Sequence, residues 1–311
     1  LICPLCGSNH TTSIDYIPKD RLRAVYLKEY QTDISMDVKS DMHLYHCTSC
    51  DLKYFDPCYT GGQSFYTDLQ KFDWYYKDDK YEYSHVLSWF KKTDDVLEIG
   101  CGKGAFSNLL RVKSYTGIEF SENARNIGRF FGKNIITESI EEHAENNPEK
   151  YDVVCSFQVV EHATNPRSFI EGCIKTLKPG GTLILTTPSE DSFLQHIQDF
   201  ALNMPPHHVT KWSDKCLTSL EKEFNIKCVH LSHEPLNSFH IPWYFNSMVV
   251  YQLNKTLGIK HSLLKSSRHW LSHVIATILF KLFGKNLPSA YHGHGHTVIA
   301  VYKKSANGHP K

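Results

Sequence analysis

The stretch DDVLEIGCGKGAFSNLLRV, residues 94–112, decides how this chain folds. A short apolar run ends at Ile99, the chain turns through Gly100, Gly102 and Gly104, and an apolar pattern at helical spacing follows. That is the order strand, glycine turn, helix, in which small residues let backbone approach a ligand and leave helix N–H groups to meet it. Spacing separates the ligands that use such a turn. A dinucleotide fingerprint reads G-x-G-x-x-G and a phosphate loop ends in G-K-[ST]; here the glycines read G-x-G-x-G, and Lys103 is followed by Gly104 and Ala105.

Working outward, SYTGIEFS reads as a second strand ending in Glu119, where a carboxylate can accept hydrogen bonds from both ribose hydroxyls of a nucleoside. KYDVVCSFQVVEH reads as a buried strand with a polar exit, NPRSFIEGCIKTL as a helix, and KPGGTLILTTPS as a turn and a further strand. Alternation of strand and helix predicts an α/β, doubly wound, Rossmann-like parallel sheet with ligands at the carboxyl ends of its strands.

VLEIGCGKG, GIEFS, YDVVCSFQVVEHATNPRSFI and LKPGGTLILTTPS, in this order and spacing, resemble the class I S-adenosylmethionine-dependent methyltransferases, and within them the small-molecule branch that includes the ubiquinone-biosynthesis O-methyltransferases. The resemblance covers about residues 80 to 230 and implies a seven-stranded sheet whose last strand is GHTVIAVYKK. It implies that Gly100, Cys101, Gly102 and Gly104, with Glu98 beside them, cradle the methionine part of S-adenosylmethionine. It further implies that Glu119 and Phe120 meet the ribose, that Ser139 and Ile140 meet the adenine, and that Gln158 borders the methyl-transfer pocket.

An oxygen acceptor needs a base or a metal to remove its proton. Four residues are catalytic candidates: Glu161 and His162 after VCSFQVV, and His207 and His208 in PPHHVTKWS, residues 205–213. His240 in NSFHIPWYF is a further histidine near this region. The Pro205-Pro206 pair suggests extended backbone, in which neighbouring side chains face opposite sides, so joint chelation by His207 and His208 is not expected. Ser213 reads as the N-cap of the next helix.

Two Cys-x-x-Cys pairs, Cys3 and Cys6 with Cys47 and Cys50, have zinc-ligand spacing. Four thiolates leave no open coordination position, so a structural Zn2+ is expected, with strands or a helix around DRLRAVYLKEY in the gap. The organisation expected is a zinc-ribbon-like module at 1–60, a linker and cofactor-covering segment at 61–80, and a methyltransferase domain at 81–311. Residues 232–295 form a helical insertion before the last strand, expected to build an acceptor pocket or an interface.

In that insertion, Phe239, Trp243, Tyr244 and Phe245 suit a planar or sugar-like acceptor but read first as core. Residues 270–283 carry a broad apolar face, expected to pack on the domain, with a homodimer contact or a membrane surface as alternatives. His292, His294 and His296 alternate with glycine and read as a polar turn. A formal charge of +1 over 311 residues gives no basic field for nucleic acid, and the opening LICPLCGSNH has no basic-then-apolar signal, so a cytoplasmic enzyme is expected. The functional expectation is methyl transfer to a small-molecule or glycan-type acceptor at oxygen. A non-catalytic binding scaffold, a nucleotide-dependent oxidoreductase and an RNA methyltransferase are the rivals.

Overall fold

Thr11–Ile17 (β1), Met42–Cys47 (β2) and Lys53–Asp56 (β3) form an antiparallel sheet, and the helix Lys19–Tyr30 (α1) occupies the gap between the two cysteine pairs. The computed structural model describes residues 1–72, 78–283 and 294–306. Leu22 and Tyr26 of α1 are fully buried, and Tyr26 packs edge-on against Phe65 with 5.7 Å between ring centroids. Phe65 belongs to Gln63–Leu69 (α2), a helix where the sequence suggests a linker. Burial of Phe65 and Leu69, one turn apart, stabilises it against α1.

After Tyr81–Val86 (α3) comes the large sheet: Asp95–Ile99 (β4), Ser114–Ile118 (β5), Ile135–Ile136 (β6), Tyr151–Phe157 (β7), Leu177–Pro188 (β8), Ile226–His233 (β10) and Thr297–Lys304 (β11). Its order is β10-β11-β8-β7-β4-β5-β6, with β4 to β8 parallel and β11 inserted antiparallel between β8 and β10. Alternate residues of the central strands feed opposite cores. Leu97, Val154, Leu183 and Leu185 pack with Ile170 and Cys173 of Pro166–Thr176 (α6), while Val96, Val153 and Ile184 pack with Tyr83 and Val86 of α3. The Asn165 side chain caps α6, with Pro166 at its first position.

The helix expected after the glycine turn is only a 3-10 segment, Phe106–Leu109. Leu110 is already extended and β5 begins at Ser114, so there is room for little more than one turn. Glu122–Phe130 (α4) and Ile140–Asn146 (α5) complete that half of the sheet, α5 starting in a capping box between Ser139 and Glu142.

The segment after β8 crosses back to the small sheet. Thr210–Lys211 (β9) pairs with β3 and becomes the fourth strand of the N-terminal sheet. Val209 N donates to Glu161 O at 2.9 Å, Phe55 N donates to Val209 O at 3.1 Å, and Gly61 N donates to Pro206 O at 2.9 Å. Trp212 is fully buried; its indole donates to Thr210 Oγ1 and its carbonyl accepts from Glu190 N. Ser213 caps Asp214–Glu223 (α7), as its position suggests. Lys53 of β3 reaches Glu190 at 2.7 Å, and burial lowers the neighbouring Lys211 ammonium to about 8.

Ile241–Thr256 (α8) and Trp270–Phe283 (α9) form the insertion and pack on each other. The apolar face of α9 does not turn inward as expected: Trp270, Leu271, Ile278, Leu282 and Phe283 are exposed, whereas Ser272 and Ala276 face the bundle, Ser272 donating to Asn254. Small residues let α8 and α9 approach, which leaves the larger side chains outside. The insertion also touches the small sheet, where Leu263 and Leu264 join the core around Tyr26 and Ser262 donates to Asp15. His292 lies outside the described residues; His294 stacks on His233 and His296 sits by Glu234. No described helix is long and apolar enough to cross a membrane.

Trp212→Ala removes the largest buried side chain where the two sheets meet and is expected to cost about 3–5 kcal/mol; a denaturant midpoint unchanged from wild type would contradict this. Glu98 of β4 is 1 % exposed and accepts a 2.6 Å hydrogen bond from the Tyr115 hydroxyl; burial pushes its carboxyl up to about 7. Below the ordinary carboxyl range the folded and unfolded chains are both protonated there, so nothing is lost. As pH rises from about 4.5 to 7, the unfolded chain releases this proton first and stability falls, levelling off above. Glu98→Gln should therefore gain stability relative to wild type across that window, reaching about 3 kcal/mol at pH 8, read from unfolding curves at pH 4.5 and 8.

Candidate active site

A cavity of about 1970 Å3 opens along the carboxyl ends of β4, β5 and β7. Its floor is the glycine turn. Gly100 has φ +70°, and a Cβ there would lie 2.3 Å from Val159 Cγ2, so both conformation and space require glycine. Gly100, Cys101 and Gly102 line the cavity. Gly104 does not; at φ +75° it shapes the turn, and its N–H donates to Cys101 O. Glu98 is not among the lining residues; its carboxylate accepts from the Tyr115 hydroxyl at 2.6 Å.

Glu119 follows β5 and reaches back over the turn. Its carboxylate accepts from Gly102 N at 2.8 Å and from Ser121 N at 2.6 Å, and burial raises its pKa. Two backbone donors fix the group while lone pairs remain for hydroxyls of a ligand. Phe120, 68 % exposed, and Ser139 and Ile140 at the start of α5 line the same side. Gln158 leaves β7 at φ +60°, a left-handed conformation unusual for a side chain of its size, and donates through Nε2 to Thr297 Oγ1. Gln158, Tyr81 and Val159 line the same cavity, Val159 directly against Gly100. Tyr75 and Tyr76, in the segment expected to cover the cofactor, lie outside the described residues.

That wall gathers all four catalytic candidates. Glu161 and His162 occupy the 3-10 turn Val160–His162 after β7. His207 and His208 are not extended: both N–H groups donate to Met204 O, forming a turn. Their rings stack at 4.5 Å, and that of His162 meets them at 4.6 and 4.9 Å, so the expectation that the pair faces opposite ways is overturned. Burial is the leading cause that lowers all three imidazoles, His162 to about 4, and it pushes Glu161 up to about 8. Neutral imidazoles beside an unusually basic carboxylate suit proton transfer or ion binding.

Residues that the sequence reading assigned elsewhere complete the cavity. Tyr66 of α2 enters from the supposed linker; the i, i+4 spacing of Phe65 and Leu69 was the available signal for that helix. Phe239 and Trp243 line it with 73 % and 47 % exposure, so these two are cavity wall and not the core first expected. Asn237, His240 and His296 lie on the same side.

At the far end of the small sheet, Cys3, Cys6, Cys47 and Cys50 bring their sulfurs together, with Cys3 to Cys50 and Cys6 to Cys47 both 3.6 Å apart. Zinc–sulfur bonds of about 2.3 Å place tetrahedral sulfurs about 3.8 Å apart, so the four thiols fit the ion. Gly7 at φ +71° and Asp51 at φ +69° close the two knuckles.

The sequence profile of the family described as "Methyltransferase domain" matches residues 75–231. The ubiquinone biosynthesis O-methyltransferase of Vibrio atlanticus is 34 % identical over 100 residues, which are 30 % of this chain and 42 % of that protein. The enzyme of the same name from Dechloromonas aromatica is 27 % identical over 198 residues, 56 % of this chain and 78 % of that one. The chain thus spans less than half the length of the Vibrio relative. Among solved structures, a SAM-dependent methyltransferase from Archaeoglobus fulgidus aligns with a TM-score of 0.47 and 17 % identity, over 72 % of this chain and 93 % of that one. With a family profile matched over half of its length, the chain belongs to the class I S-adenosylmethionine-dependent methyltransferases.

Proposed function

We propose that this chain methylates a small-molecule or glycan-type acceptor at oxygen, using S-adenosylmethionine. The observation that carries the reading is the single cavity that joins the glycine turn and Glu119 to a wall of histidines, Glu161, Phe239 and Trp243. When bound, S-adenosylmethionine supplies a methyl group on a sulfonium, open to in-line displacement. Gly100, Cys101 and Gly102 would pass close to the methionine part, Glu119 and Phe120 would hold the ribose, and Ser139 and Ile140 would meet the adenine. Gln158 stands where the two halves of the cavity meet.

On the acceptor side, Glu161, His162, His207 and His208 surround the place where a hydroxyl must lose its proton. That proton passes to this wall as the oxygen–methyl bond forms and the carbon–sulfur pair returns to sulfur. Phe239 and Trp243 offer apolar faces for a planar ring or the C–H face of a sugar. The four cysteines would hold a structural zinc ion, which fixes the sheet that β9 completes. That sheet is joined to the histidine wall through the backbone hydrogen bonds of Val209.

Calorimetric titration with S-adenosylhomocysteine and, separately, with NAD tests the cofactor assignment. Tight S-adenosylhomocysteine binding, weakened about 10- to 100-fold by Glu119→Ala, with no heat from NAD, is the expected result. A thermal melt checks that the variant is folded. Absence of S-adenosylhomocysteine binding, or binding of NAD at this turn, would remove the methyltransferase reading.

A further inference from the structure

The histidine wall has the construction of a metal centre. One ring nitrogen from each of His162, His207 and His208 can be chosen so that all three lie within 4.8 Å of one another. The hydrogen bonds behind the rings are ordered in the same sense. His162 Nδ1 lies 2.6 Å from His207 O, His207 Nδ1 lies 3.0 Å from Leu202 O, and His208 Nδ1 lies 3.2 Å from Asn203 Oδ1. A carbonyl oxygen only accepts, so in each case Nδ1 carries the proton and Nε2 carries the lone pair. Ligating histidines are commonly held this way, with one nitrogen fixed by an oxygen and the other turned to the ion.

A second observation points to the same place. Glu161 is 1 % exposed, and neither of its carboxylate oxygens makes a well-formed hydrogen bond among the described residues, although the Thr187 hydroxyl stands near it. Oε1 lies 3.9 Å from His208 Nε2. An isolated buried carboxylate is costly unless a cation or donors compensate it. The backbone that carries these groups is tied together, since His162 N donates to Val159 O and Val209 N donates to Glu161 O. Nitrogen–metal bonds of about 2.1 Å place tetrahedral ligands about 3.4 Å apart, within reach of small ring tilts.

We infer that His162, His207 and His208, with Glu161, bind a divalent first-row transition-metal ion in the wall of the cavity, separate from the four-cysteine site. Imidazole with one carboxylate suits Zn2+, Co2+ or Fe2+ and offers little to Mg2+. Resting on the methyltransferase reading, the inference also narrows the acceptor. It is a molecule whose reacting oxygen coordinates the ion; the ion would acidify that hydroxyl, its proton would pass to the Glu161 carboxylate oxygen left uncoordinated, and the ion would stabilise the resulting oxyanion until it takes the methyl group.

The test is metal content per chain after equilibration with Zn2+ and dialysis, repeated with Co2+ as a spectroscopic probe. Full-length wild type, Cys47→Ser, His208→Ala and the milder Glu161→Gln are compared. Wild type is expected to hold about two ions, one in each site. His208→Ala should keep the cysteine-bound ion, with its thiolate-to-cobalt charge-transfer band, and lose the other. Cys47→Ser should lose that band and retain cobalt bound by imidazole and carboxylate. Should His208→Ala fail to fold, Glu161→Gln serves as the variant, with at least tenfold weaker binding expected at the second site.

A wild-type chain that holds one ion, removed entirely by Cys47→Ser, would overturn the inference. So would a second ion indifferent to both His208→Ala and Glu161→Gln. S-adenosylhomocysteine binding is measured on the same wild-type sample. Its absence would count against the methyltransferase reading, while the metal stoichiometry decides the site by itself.

Discussion

Two hydrogen bonds of Val209 link the small sheet to the turn that edges the cavity, over a core the two sheets share. The Val209 N–H donates to the carbonyl of Glu161, in the turn after β7, and its carbonyl accepts from Phe55, in the small sheet. One peptide segment is therefore the outer edge of the cavity and a strand of the cysteine-bearing module. Trp212 fills the space beneath it, and the Lys53–Glu190 ion pair spans the same seam at 2.7 Å. Buried ion pairs add little net stability, because desolvation offsets their attraction, but leaving one partner alone is costly.

The cavity inherits its division of labour from this arrangement. Its floor comes from parallel strands, whose ends are fixed by a sheet buried on both faces. The histidine wall instead comes from turns, and it is held by backbone hydrogen bonds that run to Met204 and Val159. Strand ends suit a ligand common to many chains, whereas turns and an inserted helix pair can be altered without disturbing the sheet. Phe239 and Trp243, brought in by the insertion, belong to the alterable part.

Much of this was legible in the sequence, for a physical reason. Buried parallel strands must be nearly continuous apolar runs, and the turn at Gly100 must be glycine because φ is +70° and Val159 crowds the missing Cβ. The apolar runs and the glycine spacing are local patterns that a linear reading recovers, although the Val159 contact behind Gly100 comes from a distant segment. The cysteine spacing was equally local. What the sequence hid were contacts between distant segments. Nothing near Thr210 says that it pairs with Tyr54, and nothing in PPHH says that a turn on Met204 stacks both rings beside His162. The α9 stripe misled because an apolar face implies burial only when a larger surface is there to receive it, and small Ser272 and Ala276 took the contact instead.

The shared sheet also orders events during synthesis. The strand β3 is complete by Asp56, yet its partner β9 lies at Thr210–Lys211. On an elongating chain, the cysteine pairs and three strands emerge long before the fourth, and β3 presents an open edge for the whole of that interval. The nascent module stays exposed to foreign strand pairing until the ribosome has released the segment that carries the histidines. Assembly of the histidine wall and protection of that edge are then a single late step in the birth of the protein.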